Sequence, residues 1–244
     1  MTRWTHYAFK PWLIADRLLS KSGIKKPPET GFFELLELLK LPKATSAFQV
    51  GASYGQELDY FLINGIVECA CFEPIPSIFK ELKDKTDRLG WSAFNVALGS
   101  KKSKQTLHLA SNEGMSSSIL SPASHITQFP TITFKETLDI NVDVGIDYAK
   151  SHSRILSNEN NPVLYMDTQG YELEVLKGFG ETLENFTYVY TEVGYGFGYQ
   201  NAASINEICT YLFKHGFEVL DISLSGESGW GDALFAKRSL ISGR

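Results

Sequence analysis

Short apolar runs alternate with amphipathic stretches along most of this 244-residue chain, and that alternation restricts its fold more than any other feature. A strand near Ala47–Val50 leads to a helix near Gln56–Ile63, and the run IVECACF leads to a helix over Pro76–Leu89. WSAFNVAL reads as a third strand ending at Gly99, and GSKKSKQ as a solvated turn. KQTLHLA and TITFKETLDI read as strands around the Ser-rich SNEGMSSSILSPAS, with a helix near Gly145–Leu156. Order resumes with strand PVLYMD, helix YELEVLKGF, strand FTYVYTEV, helix INEICTYLFKHG and strands FEVLDI and DALFAKR. Such alternation builds a parallel sheet covered by helices on both faces, and the closing pair of strands adds one antiparallel member. The expectation is an α/β, Rossmann-like fold.

Upstream, GFFELLELLK has helical spacing and should pack against the sheet. KKPPET breaks the chain, separating an aromatic and basic segment, 1–29, from a domain over 30–244. That segment mixes Trp4, Tyr7, Phe9 and Trp12 with lysines and has no continuous apolar core of the kind a signal peptide needs. Folding back onto its own domain or a partner chain is expected of it, so a homodimer is plausible and membrane association is not. Net charge is -5, which argues against a general nucleic-acid binder. The three cysteines lack metal-finger spacing; Cys69 and Cys71 point to one face of a strand as buried thiols, which suits a reducing, cytoplasmic setting.

GASYG, Gly51–Gly55, lies at the carboxyl end of the first sheet strand, where open α/β sheets bind ligands. Gly51 and Gly55 let backbone approach a ligand, and the next strand ends in Glu73, 22 residues after Gly51. A carboxylate there can accept from both ribose hydroxyls, so the pair points to an adenosine-type cofactor. A nicotinamide site uses G-x-G-x-x-G to admit a pyrophosphate. Ser53 stands where the middle glycine would, so a cofactor without pyrophosphate, S-adenosylmethionine, fits better.

VGASYG, FEPIP, NVALG, MDTQGYELEVLKG, TEV and GDALF resemble, in order, the motifs of the FkbM family of S-adenosylmethionine-dependent methyltransferases, from about Phe48 to Phe235. The run D-x-x-G-x-E-x-x-x-L-x-G, Asp167–Gly178, is its most specific piece. The resemblance implies a class I methyltransferase fold: a seven-stranded, mostly parallel sheet with a reversed last strand. It also implies O-methylation of sugars, polyketides or other small acceptors. By position, Gly51, Ala52 and Gly55 would line the methionine and ribose part of the cofactor. Glu73 would hold the ribose with Pro74 beside it, and Asn95, Val96 and Ala97 would sit near the adenine. Ser117, in the Ser-rich segment, matches the family's loop over the site. One departure is Gln49, where the class usually has an aspartate for the cofactor's amino group. Its carbonyl still accepts a hydrogen bond, but the lost charge weakens binding by roughly 1 kcal/mol or more.

Methyl transfer to oxygen needs alignment and a place for a proton. Asp167 ends the fourth expected sheet strand and Glu192 the fifth, and adjacent strands bring such carboxylates together. Either can serve as general base; both together can hold a divalent cation; or they hydrogen-bond loop and substrate. Gln169 could contact cofactor or acceptor, and Glu172 reads as ordinary helix-dipole complementation. Tyr195, Phe197 and Tyr199 are candidates to stack on a sugar, His125 to reach the acceptor, and Asp232 to cap a turn. The expected activity is O-methylation of a sugar or glycan hydroxyl. The alternatives are a polyketide or phenolic acceptor, or a non-catalytic partner subunit of the same fold.

Overall fold

A computed structural model of the protein describes residues 31–196, 198–225 and 229–241. The expected aromatic segment 1–29 lies outside them.

Seven strands form the main sheet: β1 (Ser46–Val50), β2 (Glu68–Phe72), β3 (Ser92–Phe94), β7 (Val163–Met166), β8 (Tyr188–Gly194), β9 (Phe217–Leu224) and β10 (Trp230–Lys237). Their order is β3-β2-β1-β7-β8-β10-β9. Each neighbouring pair is parallel except those made by β10, which runs antiparallel to β8 and β9. This is the seven-stranded, mostly parallel class I methyltransferase arrangement expected above.

The central strand, β1, is buried along its whole length, as a strand covered on both faces must be. Period-two alternation divides its side chains. Phe48 and Val50 face one core with Phe72, Phe179 and Phe186; Ala47 faces the other with Cys69, Cys71 and Tyr188. Onto the second core pack helices α1 (Phe32–Leu38), through Phe32 and Leu36, and α2 (Leu58–Ile63), through Leu58 and Phe61. Helix α3 (Pro76–Leu89) starts with proline at its first position, where no N–H is needed, and stops at Gly90 in the left-handed region, φ 71°.

WSAFNVAL does not stay one strand. Its first half is β3; its second is β4 (Ala97–Leu98), which leaves the main sheet for a three-stranded sheet of order β4-β6-β5. That sheet, with β5 (Ser103–Leu109) and β6 (Glu136–Asp143), packs Leu107, Ile140 and Val142 against Ile75 and Ile78. Between β5 and β6 lies the short helix α4 (His125–Gln128). The expected strand TITFKETLDI forms only from Glu136 onward, and the helix expected over Gly145–Leu156 is α5 (Gly145–Ser151). Helix α6 (Glu172–Phe179) follows β7, and α7 (Ile205–Lys214) follows β8, held by a capping box between Ser204 and Glu207. A Cβ on Gly178 would stand 2.1 Å from the Gly99 carbonyl oxygen, so the last glycine of the Asp167–Gly178 run lets α6 touch the β4–β5 turn.

Candidate active site

The carboxyl ends of β1, β2 and β7 open into a cleft of about 390 Å³, within the range of small-molecule sites. Its floor is a backbone-to-backbone approach. Gly51 adopts φ 80°, and a Cβ there would lie 1.8 Å from the Asp167 carbonyl oxygen. The Gly51 and Ala52 N–H groups both donate to the Phe72 carbonyl, tying the loop to β2.

Beyond β2, Glu73 is buried and accepts from the backbone N–H groups of Ser53 (3.0 Å) and Ile75 (2.7 Å). Burial pushes its carboxyl up to about 7, against the pull of those two bonds. A carboxylate offers about four lone-pair sites, so Glu73 keeps capacity for two more donors. Pro74, Val96 and Ala97 line the same end. Asn95 stands behind it, its amide donating to the Glu73 and Pro74 carbonyls (2.9 and 3.0 Å). Ala52 and Gly55, unlike the exposed Asn95, are buried in the loop, and none of the three lines the cleft.

At the other end Asp167, Glu172 and Glu192 bring carboxylate oxygens within 4.8 Å of one another. Gln169 organises two of them: its amide nitrogen donates to Asp167 (2.7 Å) and to Glu192 (3.2 Å). A cation shared by Asp167 and Glu192 would have to displace that bridge. Gln169 itself sits at φ 54°, a conformation costly for a residue with a side chain. It is held there by Tyr199, whose hydroxyl contacts its amide oxygen (3.0 Å) and the Ser116 carbonyl (2.7 Å), and by Ser118, whose hydroxyl donates to its carbonyl (2.8 Å).

Glu172 is more than a dipole complement. Buried, it accepts from the Thr168 N–H and hydroxyl and from the Gly170 N–H, so it shapes the turn that carries Gln169. Burial raises the Glu172 carboxyl, with those bonds pulling it back. Glu192 is pushed well above its usual range, first by burial and then by the charges of Asp167, Glu172 and Asp232. Asp167 is exposed at the cleft. The desolvation it does undergo raises its carboxyl, the Gln169 bond opposes the rise, and the charges of Glu172, Asp232 and Glu57 reinforce it. Solvent in the cleft moderates the rise.

Several expectations need correcting. Gln49 does not present its carbonyl to the cleft: that oxygen faces the Cys71 thiol at 3.9 Å, while its amide nitrogen donates to Glu57 (2.8 Å). Ser117 lines the cleft, but its hydroxyl accepts from the Ala110 N–H; it is Ser118 that reaches Gln169. Tyr199 is buried and spends its hydroxyl on Gln169, so it is no stacking platform; Tyr195 is exposed, and Phe197 lies outside the described residues. His125 is packed among Phe129, Phe134 and Tyr199, with Nδ1 unpartnered among the described residues, away from the cleft lining. Asp232, read as a turn cap, lines the cleft, as does Glu57. Asp232 stands in the GDALF stretch, but Glu57 carries no motif signal, because an acidic residue at the start of a helix looks unremarkable in sequence.

The chain is similar to known proteins. A family model described as the methyltransferase FkbM domain matches residues 49–219. The 2-O-methyltransferase NoeI of Sinorhizobium fredii (strain NBRC 101917 / NGR234) is 24% identical over 180 residues, 70% of this chain and 72% of its own. A crystal structure of methyltransferase FkbM from Methylobacillus flagellatus KT superposes with a TM-score of 0.53 at 13% identity, covering 88% of this chain and 49% of that one. This last likeness is one of fold, and the chain spans about half of that larger protein.

Proposed function

Because the chain belongs to the FkbM methyltransferase family, we propose that it moves a methyl group from S-adenosylmethionine to a hydroxyl of a sugar or glycan. The cleft suits the cofactor on its own geometry: Gly51 leaves a backbone-lined floor that any side chain would fill, and Glu73 retains acceptor sites for ribose hydroxyls. Val96 and Ala97 offer an apolar wall for a base. When bound, S-adenosylmethionine supplies a methyl group already activated on a sulfonium.

The observation that carries the acceptor chemistry is the Asp167–Glu192 pair bridged by Gln169 at the cleft's edge. Neighbouring carboxylates that repel one another hold a proton more readily than free ones, as a group that takes a hydroxyl proton near neutral pH must. In this reading one of the two receives the acceptor's proton, and the Gln169 amide holds both in place. Oxygen as the target is supported by the likeness to a 2-O-methyltransferase. A sugar suits a rim rich in hydrogen-bond acceptors, Asp167, Glu192 and Asp232, because each can take a different hydroxyl.

The test is to incubate the protein with isotope-labelled S-adenosylmethionine and panels of nucleotide sugars, oligosaccharides and phenols. Label on the sugars alone supports the proposal, and label on phenols alone moves the protein to the metabolite reading. Cofactor binding with no label on any acceptor favours the non-catalytic role. Loss of activity in EDTA, restored by a divalent cation in the unsubstituted protein but not in Glu192→Gln, would put that cation at Asp167 and Glu192, and unchanged activity would remove it.

A further inference from the structure

The charged groups that line the cleft are all acidic. Passing along the sheet from β2 to β10, Glu57, Asp167 and Asp232 line it beyond Gly51, and no Lys, Arg or His is among the described residues that line it. These acids act on one another and on Tyr165, whose hydroxyl burial and the charges of Glu57 and Asp232 push upward. Asp167 is engaged by Gln169, and Asp232 by the hydroxyl of Tyr190.

Glu57 differs. One of its oxygens takes the Gln49 amide at 2.8 Å; the other has no protein partner among the described residues, and the side chain is half-buried at the cleft wall. Gln49 is fixed in turn: it is buried on β1, paired in register with Cys71 on β2 and Tyr165 on β7. Its amide nitrogen donates to Glu57 from that buried position. A buried glutamine that aims a carboxylate into an acidic cleft end makes a receptor for a cation, not for a neutral group.

We propose that Glu57, positioned by Gln49, accepts the α-ammonium group of S-adenosylmethionine. The assignment rests on the cofactor reading above and deepens it. Glu57 makes the charge-assisted bond, and Gln49 acts through it as a positioning residue. The charge absent from position 49 is thus supplied from the loop at the start of α2.

Calorimetric titration separates the possibilities, using two ligands that cannot react. S-adenosylhomocysteine carries the ammonium group; 5′-methylthioadenosine keeps the nucleoside and thioether and lacks the amino-acid tail. Glu57→Gln should weaken S-adenosylhomocysteine by about tenfold or more and leave methylthioadenosine within about twofold, as expected for one charged hydrogen bond. Glu57→Asp should fall between, and Gln49→Met should lower S-adenosylhomocysteine selectively by a smaller factor. Unchanged S-adenosylhomocysteine affinity in Glu57→Gln would overturn the assignment. So would an equal loss of both ligands, which would make Glu57 a residue that only shapes the loop. If the unsubstituted protein binds neither ligand, the cofactor reading itself falls and takes this one with it.

Discussion

The two ends of the cleft are built differently. At the Glu73 end, backbone groups do the holding: the Ser53 and Ile75 N–H groups fix the carboxylate, and carbonyls of residues 73 and 74 fix Asn95. At the Asp167 end side chains do it, drawn from three distant segments: Gln169 after β7, Glu192 on β8, and Tyr199 with Ser116 and Ser118 from the loops above. Backbone scaffolding tolerates side-chain replacement, whereas a side-chain network fails when one member is removed. An enzyme family that keeps one donor and changes acceptors would place its fixed and adjustable parts in this way.

Substitutions can break that contrast. The largest effect is expected from Gly51→Ala, whose Cβ would collide with the Asp167 carbonyl oxygen at φ 80°. Thermal unfolding should show a loss of about 3 kcal/mol or more, with cofactor binding abolished. Next come Asp167→Asn and Glu192→Gln. Turnover should fall by about 100-fold or more in at least one of them while S-adenosylhomocysteine still binds; full activity in both would remove the base role. Tyr199→Phe strips Gln169 and the Ser116 carbonyl of a donor and should cost about 1–2 kcal/mol of stability. It should raise the acceptor's KM and leave the cofactor's affinity unchanged, which separates the two ends directly.

The smallest effect is one of pH. With its folded pKa raised to about 7, Glu73 contributes stability to the free protein that is full below its unfolded value and lost as pH rises through about 7. Ribose hydroxyls donate to the ionised form, so cofactor affinity should increase several-fold between about pH 6 and 8, with proton release visible on changing the buffer. Glu73→Gln should flatten that dependence.

Much of this was legible in the chain, for local reasons. Pro76 and Gly90 mark the ends of α3, and the apolar runs mark the sheet strands, because the information lies within each segment. WSAFNVAL was read as one strand because nothing local marks where it parts from β2 and joins β6; that break is decided by residues more than 40 positions away. Gln169 and Asp167 stand in a motif, but Tyr199 and Ser118 act on them across 30 and 51 positions. Gln49 was noticed as a missing charge, while its partner eight residues on was not. Proximity across a strand-to-helix turn depends on the loop's shape, which spacing alone does not encode.

The place of β10 carries a consequence for how the molecule is made. The last strand of the sheet in chain order lies inside it, between β8 and β9, and β9 has no other strand partner among the described residues. During synthesis the sheet therefore waits with β8 as an open edge until residues 230–237 emerge, holding unpaired N–H and C=O groups that invite pairing with other chains. A chain cut just before Trp230 would lose its final strand and the short helix Arg238–Ile241 after it, leaving β9 unmoored and that edge permanently exposed. Such a truncation should yield aggregate rather than a smaller folded protein.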